Sequence, residues 1–148
     1  MASPYILLVE DDPDDELLTL DALRTGGLQI SIVVKRDGAE ALDYLFANEN
    51  GTRRESGLPQ LVILDLKLPK ISGHEVLRRI RSDKGTRHLP VVVLTSSNEE
   101  EDIEKAYGNG VNSYVRKPVD FDEFAKAVQS VGAYWTIFNQ PPPSSGVK

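Results

Sequence analysis

Acidic side chains occur together at two places in the sequence, each directly after a short apolar run. Glu10, Asp11 and Asp12 follow the first run, and Asp65 follows the third. Carboxylates that lie this close together repel one another and raise each other's proton affinity unless a cation neutralises them. Mg²⁺ meets that need, because it prefers oxygen ligands and usually takes one or two protein carboxylates. These acids indicate a divalent-metal site, although the first group alone would equally suit the cap of a helix.

A hydroxyl and an amine follow two further apolar runs. Thr95 comes after the fourth run and Lys117 after the fifth. A carboxylate can attack a phosphoryl group and form an aspartyl phosphate, provided that a metal and a cation neutralise the transferring oxygens. We therefore predict that Asp65 is a phosphoryl acceptor assisted by Lys117 and Thr95. Taken singly, Thr95 also suits an ordinary strand and Lys117 a solvated surface, so the prediction depends on their joint placement.

The apolar runs have the length of buried strands and alternate with stretches of helical periodicity. This alternation predicts an α/β fold in which helices cover both faces of a parallel sheet. Ligands of such sheets bind beyond the carboxyl ends of the strands, where the acids, the threonine and the lysine all fall. The predicted strands are 5–9, 30–34, 61–64, 89–94 and 113–115.

Two helices carry clear start signals. Asp12 is a suitable N-cap and Pro13 suits the first helical position, so the first helix should begin there and end near Gly26. The last helix should begin at Asp120, which has capping-box spacing to Glu123. Its apolar side chains then recur at steps of three and four, at Phe121, Phe124, Val128, Val131, Trp135 and Phe138.

The composition limits the classes of function. The chain has 148 residues, 40% of them hydrophobic, which suits one domain with a single core. A formal net charge of -6 argues against a direct nucleic-acid binder, because such proteins present a basic face to the phosphates. The chain has no cysteine, which excludes disulfides and suits a cytoplasmic location. The first apolar run is too short for a signal sequence or a membrane span.

Four blocks of the sequence together resemble the receiver-domain family of two-component response regulators. They are 6–12, 64–69 with the following Ser72 and Gly73, 94–97, and Lys117 with Pro118. The resemblance covers 5–138. It implies a flavodoxin-like, doubly wound sheet of five parallel strands in the order 2-1-3-4-5, with five helices.

The resemblance also implies a Mg²⁺ site. Carried over residue by residue, it makes Asp11 and Asp65 metal ligands and Glu10 a ligand through water. The backbone carbonyl of Lys67 would be a further ligand. Asp12 is an additional acid to which the resemblance assigns no role.

A phosphoryl switch follows from the same resemblance. A histidine kinase would dock near the first helix and pass its phosphoryl group to Asp65, and no enzymatic activity is expected beyond self-phosphorylation and self-dephosphorylation. Thr95 and Tyr114 match the family's switch pair, whose movement would change the surface of the fourth helix, fifth strand and fifth helix. An ordinary core aromatic is the alternative for Tyr114. The peptide bond between Lys117 and Pro118 is cis in many relatives.

Weaker features resemble the single-domain response regulators that are paired with bacterial phytochrome histidine kinases. They are the residues 13–15, the polar loop 48–59 and an aromatic pair late in the last helix.

Receivers of this type often form homodimers through the end of the last helix, and a sizeable apolar patch seldom stays bare in a soluble monomer. The same side chains could instead fold back on their own domain. The receiver would occupy 1–138, a Pro/Ser-rich tail that can add to the dimer would occupy 139–148, and no output domain is expected. The predicted dimer residues are Tyr134, Trp135, Ile137 and Phe138.

Two alternative functions also involve acidic residues at these positions. Haloacid-dehalogenase-like phosphatases also use a strand-end Asp with Mg²⁺, but they need a second acid two residues later, where this chain has Lys67. A degenerate receiver that only binds proteins would have lost an acceptor or metal residue, and none is lost. His74 and His88 have polar neighbours in the sequence and are predicted to be surface residues.

Overall fold

The computed structural model describes residues 4–46 and 57–143 of the chain. Strands and helices alternate through this part. The strands are β1 (Tyr5–Val9), β2 (Ser31–Lys35), β3 (Leu61–Leu64), β4 (Val91–Thr95) and β5 (Ser113–Arg116). The helices are α1 (Pro13–Thr25), α2 (Gly38–Leu45), α3 (Gly73–Ser82), α4 (Glu100–Gly108) and α5 (Phe121–Ala133).

The strands form one parallel sheet in the order β2-β1-β3-β4-β5. This order confirms the predicted doubly wound α/β fold. The three central strands are buried along their whole length, because helices cover both faces of the sheet. Strand order reverses between β1 and β3, so a crevice opens beyond the carboxyl ends of these two strands.

The core has two parts, one on each face of the sheet. Side chains of β1 alternate between them, since successive residues of a strand point to opposite faces. Leu7 and Val9 pack in the cluster beneath α2, α3 and α4. Ile6 and Leu8 pack in the cluster beneath α1 and α5. The two apolar layers hold the carboxyl ends of the strands in place.

The predicted helix starts are confirmed. Asp12 Oδ1 accepts hydrogen bonds from the amides of Asp14 and Asp15, at 2.8 and 3.1 Å. Asp120 Oδ1 accepts one from the amide of Glu123 at 3.1 Å. Three strands differ from the predicted ranges. The second strand is displaced by one residue, and the fifth ends one residue later, at Arg116. The fourth begins only after Pro90, which has no N–H for the ladder, and ends one residue later, at Thr95.

The last helix ends in a wide turn that the periodicity did not predict. After α5 the chain continues as a π-helical turn, Tyr134–Phe138, in which the amide of Asn139 donates to the carbonyl of Tyr134 at 2.7 Å. The wider turn rotates the following side chains off the α-helical stripe. Trp135 still packs against the core cluster beneath α1 and α5. Phe138, which is on the same predicted stripe and among the predicted dimer residues, is 73% exposed.

Part of the predicted organisation lies outside the described residues. The polar loop predicted at 48–59 falls largely on residues 47–56, and the tail is described only as far as residue 143. Pro141, Pro142 and Pro143 line one groove together with Leu58 and neighbouring residues. The boundary between a receiver at 1–138 and a tail at 139–148 stays a prediction. None of the helices in the described ranges has the length and apolar character needed to span a membrane.

Candidate functional site

Three predicted metal ligands come together at the carboxyl edge of the sheet. Glu10, Asp11 and Asp65 each offer a carboxylate oxygen, and these oxygens lie within 4.8 Å of one another. The proximity follows from the register, in which Val9 of β1 pairs with Leu64 of β3, so that the next residues of both strands are neighbours. Glu10 and Asp65 are buried and Asp11 is exposed. The set has the oxygen donors and the open side that a hydrated Mg²⁺ needs.

Lys117 is the cation of this cluster. Its Nζ donates hydrogen bonds to Glu10 Oε1 at 2.8 Å, Asp15 Oδ2 at 2.7 Å and Asp65 Oδ2 at 2.9 Å. Three bonds use all the donors of an ammonium group. Burial opposes the charged form of Lys117, but the hydrogen bonds to Asp15, Glu10 and Asp65 outweigh it and raise the pKa of the lysine. The structure thus brings Lys117 and Asp65 together as predicted.

Asp15 is a member of the site that the sequence analysis missed. It was noticed only as part of the stretch after the acids, and nothing in its type distinguishes it from Asp14. Both residues lie in the first turn of a helix that starts at the carboxyl edge of the sheet, so the sequence carries no signal that separates them. Asp12, whose role was open, caps that helix.

The buried acids carry more negative charge than one lysine neutralises. Burial is the main cause that raises the pKa of Glu10 from 4.5 to about 7, and the charge of Asp65 adds to it. The hydrogen bond from Lys117 acts in the opposite direction and only partly compensates. Near neutral pH the carboxyl of Glu10 is therefore only partly ionised. A divalent cation would remove this imbalance, which is why the residues fit Mg²⁺.

The pKa of Glu10 predicts an unusual pH dependence for the metal-free protein. Because the folded state binds this proton more tightly than the unfolded state, the stabilisation is complete below pH 4.5 and is lost as the pH rises through about 7. We expect the free energy of unfolding, measured with urea in the presence of a chelator, to fall by about 3 kcal/mol across this window. Mg²⁺ should abolish the fall. Glu10→Gln is the control, and a fall of the same size in that variant would contradict the assignment.

Thr95 ends β4 beside the acceptor strand. Its side chain is fully buried, and its Oγ1 has no hydrogen-bond partner in the described part of the chain. A buried hydroxyl left without a partner costs about 1–3 kcal/mol. The backbone carbonyl of Thr95 accepts a hydrogen bond from the amide of Lys117 at 2.7 Å, so the two residues are held side by side. The hydroxyl is thus available for a new acceptor at the site.

Tyr114 has features of a core aromatic residue and also a contact that a switch residue would need. Its ring is half-buried and packs against the cluster beneath α2, α3 and α4, as a core aromatic does. Its hydroxyl donates to the carbonyl of Ser97 at 2.9 Å, which ties the ring to the loop that follows Thr95. Burial raises the pKa of the Tyr114 phenol. Its role as a switch residue stays a prediction.

The prediction that His74 is a surface residue is wrong. The side chain is buried, and its Nε2 lies 3.1 Å from Asp102 Oδ1 on α4. Asp102 also accepts a hydrogen bond from Ser97 Oγ at 2.6 Å, and the bonds from Ser97 and His74 lower its pKa. The prediction was based on the polar neighbours of His74 in the sequence. These neighbours do not reveal that the first turn of α3 faces α4. His88 is exposed, as predicted.

The backbone near the acceptor was predicted to contribute a metal ligand at Lys67 and a cis peptide bond before Pro118. The amide of Lys67 donates to Asp65 Oδ1 at 3.3 Å, and the proposed role of the Lys67 carbonyl as a metal ligand stays a prediction. All peptide bonds of the described residues are trans, so the cis bond before Pro118 is not found. The ammonium of Lys117 nevertheless reaches Asp65, because the four-carbon side chain is long and flexible.

Comparison with known proteins gives matches over most of the chain. The model of the response regulator receiver domain family matches residues 6–129. FilR2, a probable methanogenesis regulatory protein of Methanothrix harundinacea, is 44% identical over 137 residues, which are 93% of this chain and 86% of that protein. Response regulator Rcp1 of Synechocystis sp. is 37% identical over 130 residues, 88% of this chain and 87% of Rcp1.

Solved structures agree with the fold. The Mn²⁺-bound form of Rcp1 has a TM-score of 0.81 and 35% identity, covering 94% of this chain and 99% of that chain. The bacteriophytochrome response regulator RtBRR has a TM-score of 0.73 and 51% identity, covering 97% of this chain and 86% of that one. The flavodoxin-like strand order implied by the resemblance is therefore confirmed.

Proposed function

The chain belongs to the response regulator receiver domain family, and from that premise we propose that Asp65 accepts the phosphoryl group in two-component signalling. The observation that carries the proposal is the position of the Asp65 carboxylate. It lies within 4.8 Å of oxygens from Glu10 and Asp11 and receives a 2.9 Å hydrogen bond from Lys117. An acceptor carboxylate needs this combination of a metal site and a fixed cation.

The residues of the site divide the work of phosphoryl transfer between them. Asp65 provides the attacking oxygen, the bond between phosphorus and the donor's histidine nitrogen breaks, and a bond from phosphorus to the Asp65 carboxylate forms. Lys117 places positive charge beside the transferring oxygens, and Thr95 offers its buried hydroxyl to one of them. Mg²⁺, held by Glu10, Asp11 and Asp65, would supply the remaining charge neutralisation.

We expect phosphorylation to require both Asp65 and the metal. In the presence of Mg²⁺ and acetyl phosphate, intact-mass measurement should show the parent gaining one phosphoryl group, with loss of acetate from the donor. Asp65→Asn should gain none, because an amide cannot form the acyl phosphate, and the parent should gain none with a chelator. Phosphorylation of Asp65→Asn to the level of the parent would exclude Asp65 as the acceptor.

The phosphoryl group would act on a surface away from the acceptor. Movement of Thr95 toward the new oxygens would disturb the loop after β4, to which Tyr114 is bonded through Ser97. We propose that this alters the face formed by α4, β5 and α5. The chain then works as a switch and not as a multiple-turnover phosphatase, since Lys67 stands where a general acid would be required.

The proposed upstream partner is a histidine kinase of the phytochrome type. Similarity to RtBRR, named as a bacteriophytochrome response regulator, supports this partner. The net charge of -6 supports a protein partner over a nucleic acid. We place the chain in the cytoplasm, because a sequence without cysteine suits a reducing compartment.

We further propose that the chain forms a homodimer through the π-helical turn. Tyr134, Ile137 and Phe138 are 51%, 62% and 73% exposed and lie close together after α5. Exposed apolar side chains that cluster in this way are typical of an interface. Trp135 is half-buried against the core. This side chain therefore folds back on its own domain, which was the alternative to a dimer contact.

Replacing the most exposed of these residues should weaken self-association. The double variant Ile137→Ser and Phe138→Ser should sediment as a monomer at concentrations where the parent is a dimer, while its phosphorylation is unchanged. Phe121→Ser is a matched control, because Phe121 is also 71% exposed but lies at the opposite end of α5. A double variant that sediments like the parent and the control would exclude this interface. Trp135→Ala is a less clear test, since it also removes core packing.

A further inference from the structure

Lys117 has a third carboxylate partner that does not belong to the candidate metal site. Glu10 and Asp65 are both members of the group that could share an ion, whereas Asp15 is not. The Asp15 bond is nevertheless the shortest of the three, at 2.7 Å from Oδ2 to Nζ. Asp15 also comes from a different kind of element, since it lies on α1 while the others follow strands.

The three carboxylate partners of Lys117 differ in whether they take part in metal binding and in phosphoryl transfer. Glu10 and Asp65 would share their charge with a bound metal ion, which makes each a weaker acceptor for the lysine, and Asp65 loses its negative charge where it bonds to phosphorus. Asp15 takes part in neither event. Through Asp15, the flexible side chain of Lys117 would therefore keep one fixed partner throughout the reaction.

The start of α1 holds Asp15 in place for this contact. Its amide donates to Asp12 Oδ1 at 3.1 Å, so the N-cap fixes the backbone of the first turn. Its side chain is 29% exposed, compared with 2% for Glu10, so it is the more solvated of these two partners. Asp14 shares the same cap but is exposed.

We propose that Asp15 is a positioning residue, which holds the Lys117 ammonium in the site so that it meets the incoming phosphoryl group. The proposal rests on the proposed function of Asp65. Asp15 does not touch the reacting atoms. It acts by keeping one donor of Lys117 occupied, which directs the remaining donors at Asp65 and at the phosphoryl oxygens.

The test compares Asp15→Asn with Asp14→Asn. Both changes remove one negative charge from the first turn of α1, so the general repulsion of an anionic donor falls equally in both. With saturating Mg²⁺ and acetyl phosphate, we expect phosphorylation of Asp15→Asn to be about tenfold slower than that of Asp14→Asn, as for the loss of about 1.4 kcal/mol of transition-state stabilisation. Asp15→Glu should recover part of the rate, because it restores the charge.

A second readout separates positioning from general structural damage. The ¹⁵N resonance of the Lys117 ammonium should be detectable in the parent and in Asp14→Asn with Mg²⁺ and beryllofluoride bound, because a held ammonium exchanges its protons slowly. In Asp15→Asn it should broaden or disappear, while the unfolding midpoint stays close to that of Asp14→Asn. Equal rates and equal ammonium spectra in the two Asn variants would overturn the role of Asp15, as would a faster reaction in Asp15→Asn. Failure of the parent itself to be phosphorylated on Asp65 would instead refute the proposed function.

Discussion

Replacing Lys117 with methionine should destabilise the metal-free protein by about 3 kcal/mol, because it leaves two buried carboxylates without their cation. Lys117 is only 9% exposed in its side chain and bonds to both Glu10 and Asp65. Methionine keeps most of the apolar length of lysine, so the loss reports the charge. Glu10 can take up a proton, and this reduces the loss of stability. We therefore expect a value at the lower end of what the loss of one partner of a buried ion pair costs.

Urea denaturation at neutral pH in the presence of a chelator measures this effect. Mg²⁺ should restore most of the lost stability, because it supplies the missing positive charge at the same carboxylates. Lys126→Met is the control, since that lysine is 74% exposed and lies 3.9 Å from Glu123, and an exposed pair contributes less than about 1 kcal/mol. If Lys117→Met were as stable as Lys126→Met without metal, the buried acids would not depend on the lysine.

Gly73→Ala should cost about 3 kcal/mol and also weaken Mg²⁺ binding. A Cβ at this position would overlap the backbone carbonyl oxygen of Asp65 and lie 2.6 Å from the Cα of Leu66. These are backbone atoms that cannot rotate away, so the loop that carries the acceptor must shift. The amide of Gly73 also donates to the carbonyl of Leu66 at 2.9 Å, a bond that the shift would strain.

The Gly73 prediction can be checked with urea denaturation and with calorimetric titration of Mg²⁺. We expect a loss of stability together with about tenfold weaker metal binding, since carboxylate ligands must be placed accurately around a small octahedral ion. Gly108→Ala is the matched control. It lies at the end of α4 with nothing within 4 Å of the added Cβ, so it should be neutral or stabilising by up to about 1 kcal/mol. Equal effects in both variants would show that the close approach at Gly73 has no consequence.

Much of the fold was predictable because its determinants are local. Apolar runs of strand length alternate with helical stretches, and Asp12 with Pro13 marks the start of α1 within one residue. The acids, Thr95 and Lys117 were predictable as a group, because parallel strands all end at the same edge of the sheet. The strand order, in contrast, came from the family resemblance, since alternation alone fits several orders.

The features that were missed depend on packing between elements. Asp15 and Asp14 are neighbours of the same residue type, and only the position of β5 relative to α1 determines which of them meets Lys117. The burial of His74 requires that α3 and α4 lie together, which no local pattern shows. The last helix ends in a π-helical turn, and the periodicity of the side chains gave no sign of it.

The most direct test of the central claim, that Asp65 takes the phosphoryl group beside an ion held with Glu10 and Asp11, is to locate the modification. After reaction with acetyl phosphate and Mg²⁺, borohydride reduces an aspartyl phosphate to homoserine, which peptide sequencing by mass spectrometry detects. We predict homoserine at position 65 and nowhere else, and none when Mg²⁺ is withheld. Homoserine at Asp11 or Asp15, or the same yield at position 65 without any divalent metal, would contradict the claim.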